Sequence, residues 1–151
     1  MTIDIADVQR EGMADYLLGQ IQATGMLLLY ASDGTLANHT AGKPDDPTIP
    51  TDATVLAEFS LTGADTPNGN GRIDWTLGGT LTDSTANATG TVAWARFMTA
   101  TEYAKAANVR VGIVDCDVST MVDGTGDIQL NSVDIVAGGI VSITQLYHDI
   151  S

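Results

Sequence analysis

The spacing of apolar residues changes its rhythm once along this chain. From Ile5 to Thr24, Ile5, Val8, Met13, Leu17 and Ile21 fall near helical spacing, with Tyr16 and Leu18 beside them, which predicts one α-helix. Gly12 weakens its middle and Gly25 is placed to end it. Such a helix either covers a sheet or reaches to a neighbour, and local cover is the expected arrangement. Beyond it the period drops towards two. Met26 to Ala31 reads as a buried strand stopped by Asp33-Gly34, and Val55 to Leu61 as a second strand. Ile73, Trp75 and Leu77 point one way while Asp74 and Thr76 point the other. Ala88 to Thr99 is apolar on both faces, with Val92, Trp94 and Met98 opposite Ala93, Ala95 and Phe97, as in a strand covered on both sides.

Further strands are expected at Val109 to Val114, before an acidic corner Asp115-Cys116-Asp117, then at Ile128 to Leu130, Val133 to Ile135, and Ile140 to Tyr147. Thr101 to Asn108 reads as one helical turn or a connection. Asn38 to Pro50 holds Gly42, Pro44, Pro47 and Pro50 and reads as a long exposed loop, the kind that is often functional or mobile. Short strands with no helices between them predict a mainly β fold: an antiparallel sandwich, jelly-roll-like, or a barrel, with one N-terminal helix over about residues 5–24. The pattern shows no internal boundary, so residues 1–151 are expected to form one domain.

Charge narrows the function. Six basic residues stand against nineteen acidic ones, a formal charge of −13. Nucleic acid would be repelled, because its phosphates must be neutralised by Lys and Arg, and anionic membrane surfaces are excluded in the same way. The longest apolar run, Met26 to Ala31, is far shorter than a membrane span, and Met1 to Arg10 lacks the apolar core of a signal peptide, so a cytosol-made chain is expected. Cys116 is the only cysteine and excludes an internal disulfide. The sequons at Asn38 and Asn87 read as chance in a Thr-rich chain.

Catalytic chemistry is hard to find. His39 and His148 lack metal-ligand partners at two or four residues, and no phosphate loop, dinucleotide fingerprint or nucleophile elbow occurs. Asp115 and Asp117 would raise the thiol pKa of Cys116 and weaken it as a nucleophile. Asp65 to Asp74 has a superficial likeness to a calcium loop. Aligning Gly71 with the loop's invariant glycine puts Thr66 and Leu77 where carboxylates belong, so an Asn-Gly hairpin turn is the preferred reading. Asp45-Asp46 and the pair Asp115 and Asp117 read as solvated. No catalytic, cofactor-binding or metal-binding residue is assigned, no cofactor is expected, and the chain is expected not to be an enzyme.

Three segments carry a resemblance: Ala88-Thr89-Gly90-Thr91-Val92-Ala93-Trp94-Ala95-Arg96-Phe97, then Gly124 to Asn131, then Ile135-Val136-Ala137-Gly138-Gly139-Ile140-Val141-Ser142-Ile143-Thr144. In that order they resemble a family of small proteins from the structural-gene regions of tailed bacteriophages and prophages. Its pattern runs A-T-G-T-x-x-W-x-R, then G-A-D-x-x-L-N, then I-V-A-G-G-x-V-S-I-T. The N-terminal helix and the strand with its Asp-Gly turn match as well, so the resemblance covers most of the chain. Asn38 to Pro50 and Thr101 to Asn108 are longer than that pattern, and Thr125-Gly126 stands where it has Gly-Ala. The resemblance implies a virion structural protein assembled in the host cytoplasm.

The specific expectation is a head decoration, or cement, protein that binds the major capsid protein on the outside of the capsid as a homo-oligomer. The helix and the Asn38 to Pro50 loop are its expected contact elements. A tail, neck or baseplate component is the alternative within this class. A calcium-dependent carbohydrate- or receptor-binding module is the alternative outside it. Gly90, Gly138 and Gly139 are read as bends, Trp94 as a core anchor, and Arg96 as a sheet-edge residue paired with a carboxylate.

Overall fold

A five-stranded sheet carries the fold, and its central strand is the segment whose two faces are both apolar in sequence. The computed structural model describes residues 6–21, 24–36, 38–40, 42–61 and 71–149. In chain order the elements begin with α1 (Asp7–Ile21), β1 (Met26–Tyr30), β2 (His39–Thr40), β3 (Lys43–Pro44), β4 (Val55–Ser60), β5 (Arg72–Asp74) and β6 (Leu81–Asp83). They continue with β7 (Gly90–Thr91), β8 (Trp94–Met98), α2 (Ala100–Tyr103), a 3-10 turn (Ala107–Val109) and β9 (Val114–Thr120). The last four are β10 (Ile128–Leu130), β11 (Asp134–Ile135), β12 (Val141–Ile143) and β13 (Tyr147–Asp149). The chain is therefore mainly β with one N-terminal helix. No described helix is long and apolar enough to cross a membrane.

The sheet runs β10-β9-β8-β1-β4 and curls into a half-barrel. A register shift between Leu29 and Tyr30 pairs Leu29 with Ala57 but Tyr30 with Val55, leaving Leu56 as the extra residue of a bulge. Bulges sharpen local twist, which suits a sheet that must curl. All pairs are antiparallel except β9 and β10. That parallel pair needs the chain to fold back within residues 121–127. Gly126 permits it: a Cβ there would lie 2.6 Å from the Ser119 nitrogen.

A second feature spans long sequence distances. Residues 72–92 run antiparallel to residues 133–149 as one interrupted ribbon, β5 on β13, β6 on β12 and β7 on β11. Between the pairs Ile73–His148 and Leu81–Ile143 the first limb advances eight residues (73 to 81) and the second five (143 to 148). The surplus is taken up by the turn after Asp74, closed by Gly79 N–H donating to Thr76 O at 2.9 Å.

The main core lies between one face of the sheet and the ribbon with α1. Leu27, Leu29, Ala57, Phe59, Ala95 and Phe97 come from the sheet, Ile73, Trp75, Leu81, Ile135 and Ile143 from the ribbon, and Ala14 and Ile21 from the helix. A smaller cluster of Leu28, Tyr30, Ala53, Trp94 and Met98 fills the other face. β8 is thus covered on both sides, as its sequence predicts.

Several boundaries differ from expectation. Val109 ends the 3-10 turn, residues 110–113 are irregular and the strand begins at Val114, so Asp115-Cys116-Asp117 lies within β9 instead of at a corner. Ile140 to Tyr147 is two strands because the ribbon bends. Leu77 is exposed in a turn, apart from buried Ile73 and Trp75. Val92 joins the core of Ala95 and Phe97, opposite the cluster of Trp94, because the chain leaves strand geometry at Val92 and Ala93 and reverses its alternation.

Candidate interaction surface

Helix α1 has two apolar faces and buries only one. Ala14, Leu17, Leu18 and Ile21 follow the i, i+3, i+4, i+7 spacing and pack on the main core. Small Ala14 lets the helix approach closely, and Glu11 Oε2 accepts the Gly71 N–H at 3.0 Å, fastening the helix to the start of β5. Val8 and Met13, predicted to share a face with Leu17 and Ile21, instead point outward, as does Tyr16. Ile5 lies outside the described residues.

The outer face consists of Val8, Gln9, Gly12, Met13, Asp15, Tyr16, Gly19 and Gln20, with one formal charge among eight exposed positions. Val8 is 72% exposed, Tyr16 70% and Met13 48%. In a chain with a formal charge of −13 this face is conspicuously uncharged. A Cβ added at Gly12 or Gly19 would meet nothing within 4 Å, so no contact among the described residues requires either glycine. Each costs about 1 kcal/mol relative to alanine in a helix interior. Gly12 and Gly19, seven residues apart, are the signal in the sequence that marks this face.

Across the sheet, the second face is organised by Arg96. This residue is fully buried in the middle of β8, so the expectation of a sheet-edge position is overturned, while the expected carboxylate is present. Its Nε and Nη2 donate to the two carboxylate oxygens of Asp115 at 2.7 and 2.8 Å, and Nη1 donates to Ile49 O at 2.9 Å. Gly112 lies against its stem, where a Cβ would sit 2.6 Å from Arg96 Cγ. Trp94, the expected core anchor, stacks on Tyr30 at 4.3 Å and donates through Nε1 to Ala31 O.

The described residues of the Asn38 to Pro50 segment lie against this network, with Gly42 and Pro44 buried and Asn38, Asp45, Asp46 and Thr48 exposed, so the loop is folded on the sheet instead of projecting as an excursion. Asp45 N–H donates to Asn38 O at 2.8 Å, Gly112 N–H to Pro47 O at 2.7 Å, and Lys43 Nζ to Asp117 Oδ1 at 2.7 Å. A buried guanidinium needs acceptors, and beside Asp115 the loop supplies one, the Ile49 carbonyl; that demand holds the end of the loop inward.

The other candidate groups are buried in the fold or engaged by neighbouring residues. His39 Nε2 lies 3.1 Å from Pro50 O, and His148 sits on β13, where burial lowers its pKa. Burial pushes the Cys116 thiol up to about 12, with Asp127 and Asp115 adding to it and Asp117 contributing least. Asp65 to Asn70 of the calcium-like stretch lie outside the described residues, and Asp74 is engaged by the amide and hydroxyl of Thr76. Asp46 likewise accepts both donors of Thr48. Among the described residues no group of three or more His, Cys, Asp or Glu is arranged to hold a metal. Both tryptophans are buried, so neither offers a platform for stacking sugars.

No family model, curated protein or solved structure matches this chain.

Proposed function

We propose that this chain is a structural component of a phage particle, a head decoration protein that lies on the outside of the capsid and bridges neighbouring major capsid subunits. One observation carries the reading: the outer face of α1, where Val8, Met13 and Tyr16 stand exposed around Gly12 and Gly19. Exposed apolar surface of this kind marks contact with another protein. Glycines on that face let a partner's backbone approach closely, a role that would offset their cost to the helix.

The helix has 15 residues and is about 22 Å long, so its face is a fraction of a standard interface of roughly 1,200–2,000 Å². Modest single contacts suit a particle on which many symmetric copies act together. The acidic surplus keeps free copies apart and faces solvent once they are bound. With the Asn38 to Pro50 loop folded against the sheet, the helix is the stronger of the two expected contact elements. The motifs from Ala88 to Phe97 and from Ile135 to Thr144 support the phage class within which this role falls.

The test is binding of the purified chain to capsids that lack it. Wild type should bind in a number set by the capsid subunits, and Tyr16→Lys should bind at least about tenfold more weakly while keeping its fold. Equal binding by the two would remove the helix from the interface. Binding in the number of a tail or neck ring would replace the head assignment.

A further inference from the structure

The half-barrel has an open seam. Beside β4 lies β6: Glu58 N–H donates to Asp83 Oδ2 and Asn87 N–H to Leu56 O, both at 2.9 Å. Since β6 pairs with β12, the wall runs β10-β9-β8-β1-β4 and on through β6 to β12. It does not close, because among the described residues β10 pairs only with β9 and β12 only with β6. One cleft lies in the gap and a second beside it, against β9 and β13. The one beside it, of about 360 Å³, has Ile128 of β10 on one side and Leu146 to Asp149 on the other. The one in the gap, about 560 Å³, lies between Gln129 to Ser132 and Gly139 to Gln145. Val136 and Ile140 line the larger one and are 68% and 75% exposed.

Each bordering strand is short, three residues, and neither carries a guarding charge, proline or bulge. Edge strands are commonly protected by lysine, proline or a bulge, whereas β10 reads Ile-Gln-Leu and β12 reads Val-Ser-Ile. The charge is also one-sided once ion pairs are set aside: Asp115, Asp117 and Asp149 are paired with Arg96, Lys43 and Arg72, and Asp123, Asp127 and Asp134 remain. Residues 111–151 contain no Lys or Arg, and carry Asp115, Asp117, Asp123, Asp127, Asp134 and Asp149.

We propose that this seam accepts an extended segment of a partner protein, which adds as a strand between β10 and β12 and completes the barrel wall. Backbone hydrogen bonds to two unpaired strand edges would give affinity, and alternate apolar side chains would enter the clefts. Asp127 and Asp134 on the rim favour basic residues flanking that segment. A second copy of this chain is disfavoured as the occupant, because each copy brings a formal charge of −13. This surface is independent of the α1 face.

The experiment uses the full chain and two synthetic peptides of alternating Val and Thr, one flanked by Lys pairs and one by Glu pairs. Amide hydrogen exchange and a binding titration are read together. The Lys-flanked peptide should slow exchange in β10 and β12 and bind at least about tenfold more tightly than the Glu-flanked one. The double variant Val136→Lys, Ile140→Lys, whose positions are exposed, should keep its circular dichroism and lose at least about tenfold in affinity for the Lys-flanked peptide. Tyr16→Lys should change nothing in this assay, which separates failure here from failure of the capsid-binding reading. Unchanged exchange in β10 and β12, or equal binding of the two peptides, overturns the proposal. The same protection arising without peptide as chain concentration rises overturns it in favour of a second copy.

Discussion

Arg96 has no exposed surface, and its charge is tolerated because Asp115 takes both parallel N–H donors while Ile49 O takes a third. Removing one partner of such a pair leaves an uncompensated buried charge, at a cost of about 3–5 kcal/mol. Arg96→Met is therefore expected to lower the unfolding free energy measured in urea by that order, and Arg96→Met with Asp115→Leu to cost less than the two single changes added. Equal sums would mean the pair acts independently. The acidic surplus also has structural uses. Asp33, Asp46, Asp52, Asp74, Asp83, Asp123 and Asp134 each accept a hydrogen bond from a threonine. Asp33 with Thr54 and Asp52 with Thr35 form reciprocal braces, and the hydroxyl and amide of Thr35 hold the Asp52 carboxyl down at about 2. The hydrogen bonds from Thr54 and Thr48 likewise lower the Asp33 and Asp46 carboxyls, and the stability these three contribute is present above about pH 4 and is lost as pH falls towards 2. Burial acts on the alkaline side, raising the Cys116 thiol and the Tyr30 phenol to about 12. The unfolded chain loses those protons first, so their contribution is whole below about pH 9 and disappears as pH rises to 12. Urea unfolding across pH should give a plateau that falls at both ends. A Cys116→Ala, Tyr30→Phe variant should flatten the alkaline fall, and an unchanged alkaline limb would contradict the burial of these groups.

Helix α1 shows how an element can be legible while its orientation is not. Its existence follows from spacing, yet Val8, Met13 and Tyr16 are apolar as well, and a helix apolar on both faces does not declare which side is inward. Ala14 decides it, because a small residue allows the close approach that buries Leu17, Leu18 and Ile21. Since Gly12 and Gly19 face open space, changing both to alanine should stabilise the isolated chain by roughly 0.5–1 kcal/mol each. Thermal unfolding checks this, and a loss of stability would mean that the outer face is covered within the chain. The strand at Trp94 to Met98 was readable from its two apolar faces, whereas the burial of Arg96 was not, since nothing local says that Asp115 lies on the neighbouring strand. The ribbon was unreadable for a related reason. Its pairs join residues 72–92 to residues 133–149, and the unequal limbs break the alternation that would have announced one strand. The loop from Asn38 to Pro50 has the composition of an exposed segment. Its inward fold rests on backbone acceptors, Ile49 O for Arg96 and Pro47 O for Gly112, that no side-chain pattern announces.

At the scale of the molecule, the sheet, ribbon and helix together leave two kinds of unfinished surface, the outer face of α1 and the seam between β10 and β12. The mainly β class and the single N-terminal helix follow from periodicity alone. The open wall does not, because closure depends on which strands neighbour one another across the whole chain. A particle component is a consistent use for such a molecule: charge disperses the free copies, and the nearly uncharged outer face of α1 engages once a lattice of partners presents itself. Reconstruction of purified phage particles by cryo-electron microscopy tests this most directly. The expected map has density for this chain repeated over the outer capsid surface, with α1 turned towards the major capsid protein. Particles without that density, or copies bound with the outer face of α1 turned to solvent, would contradict it.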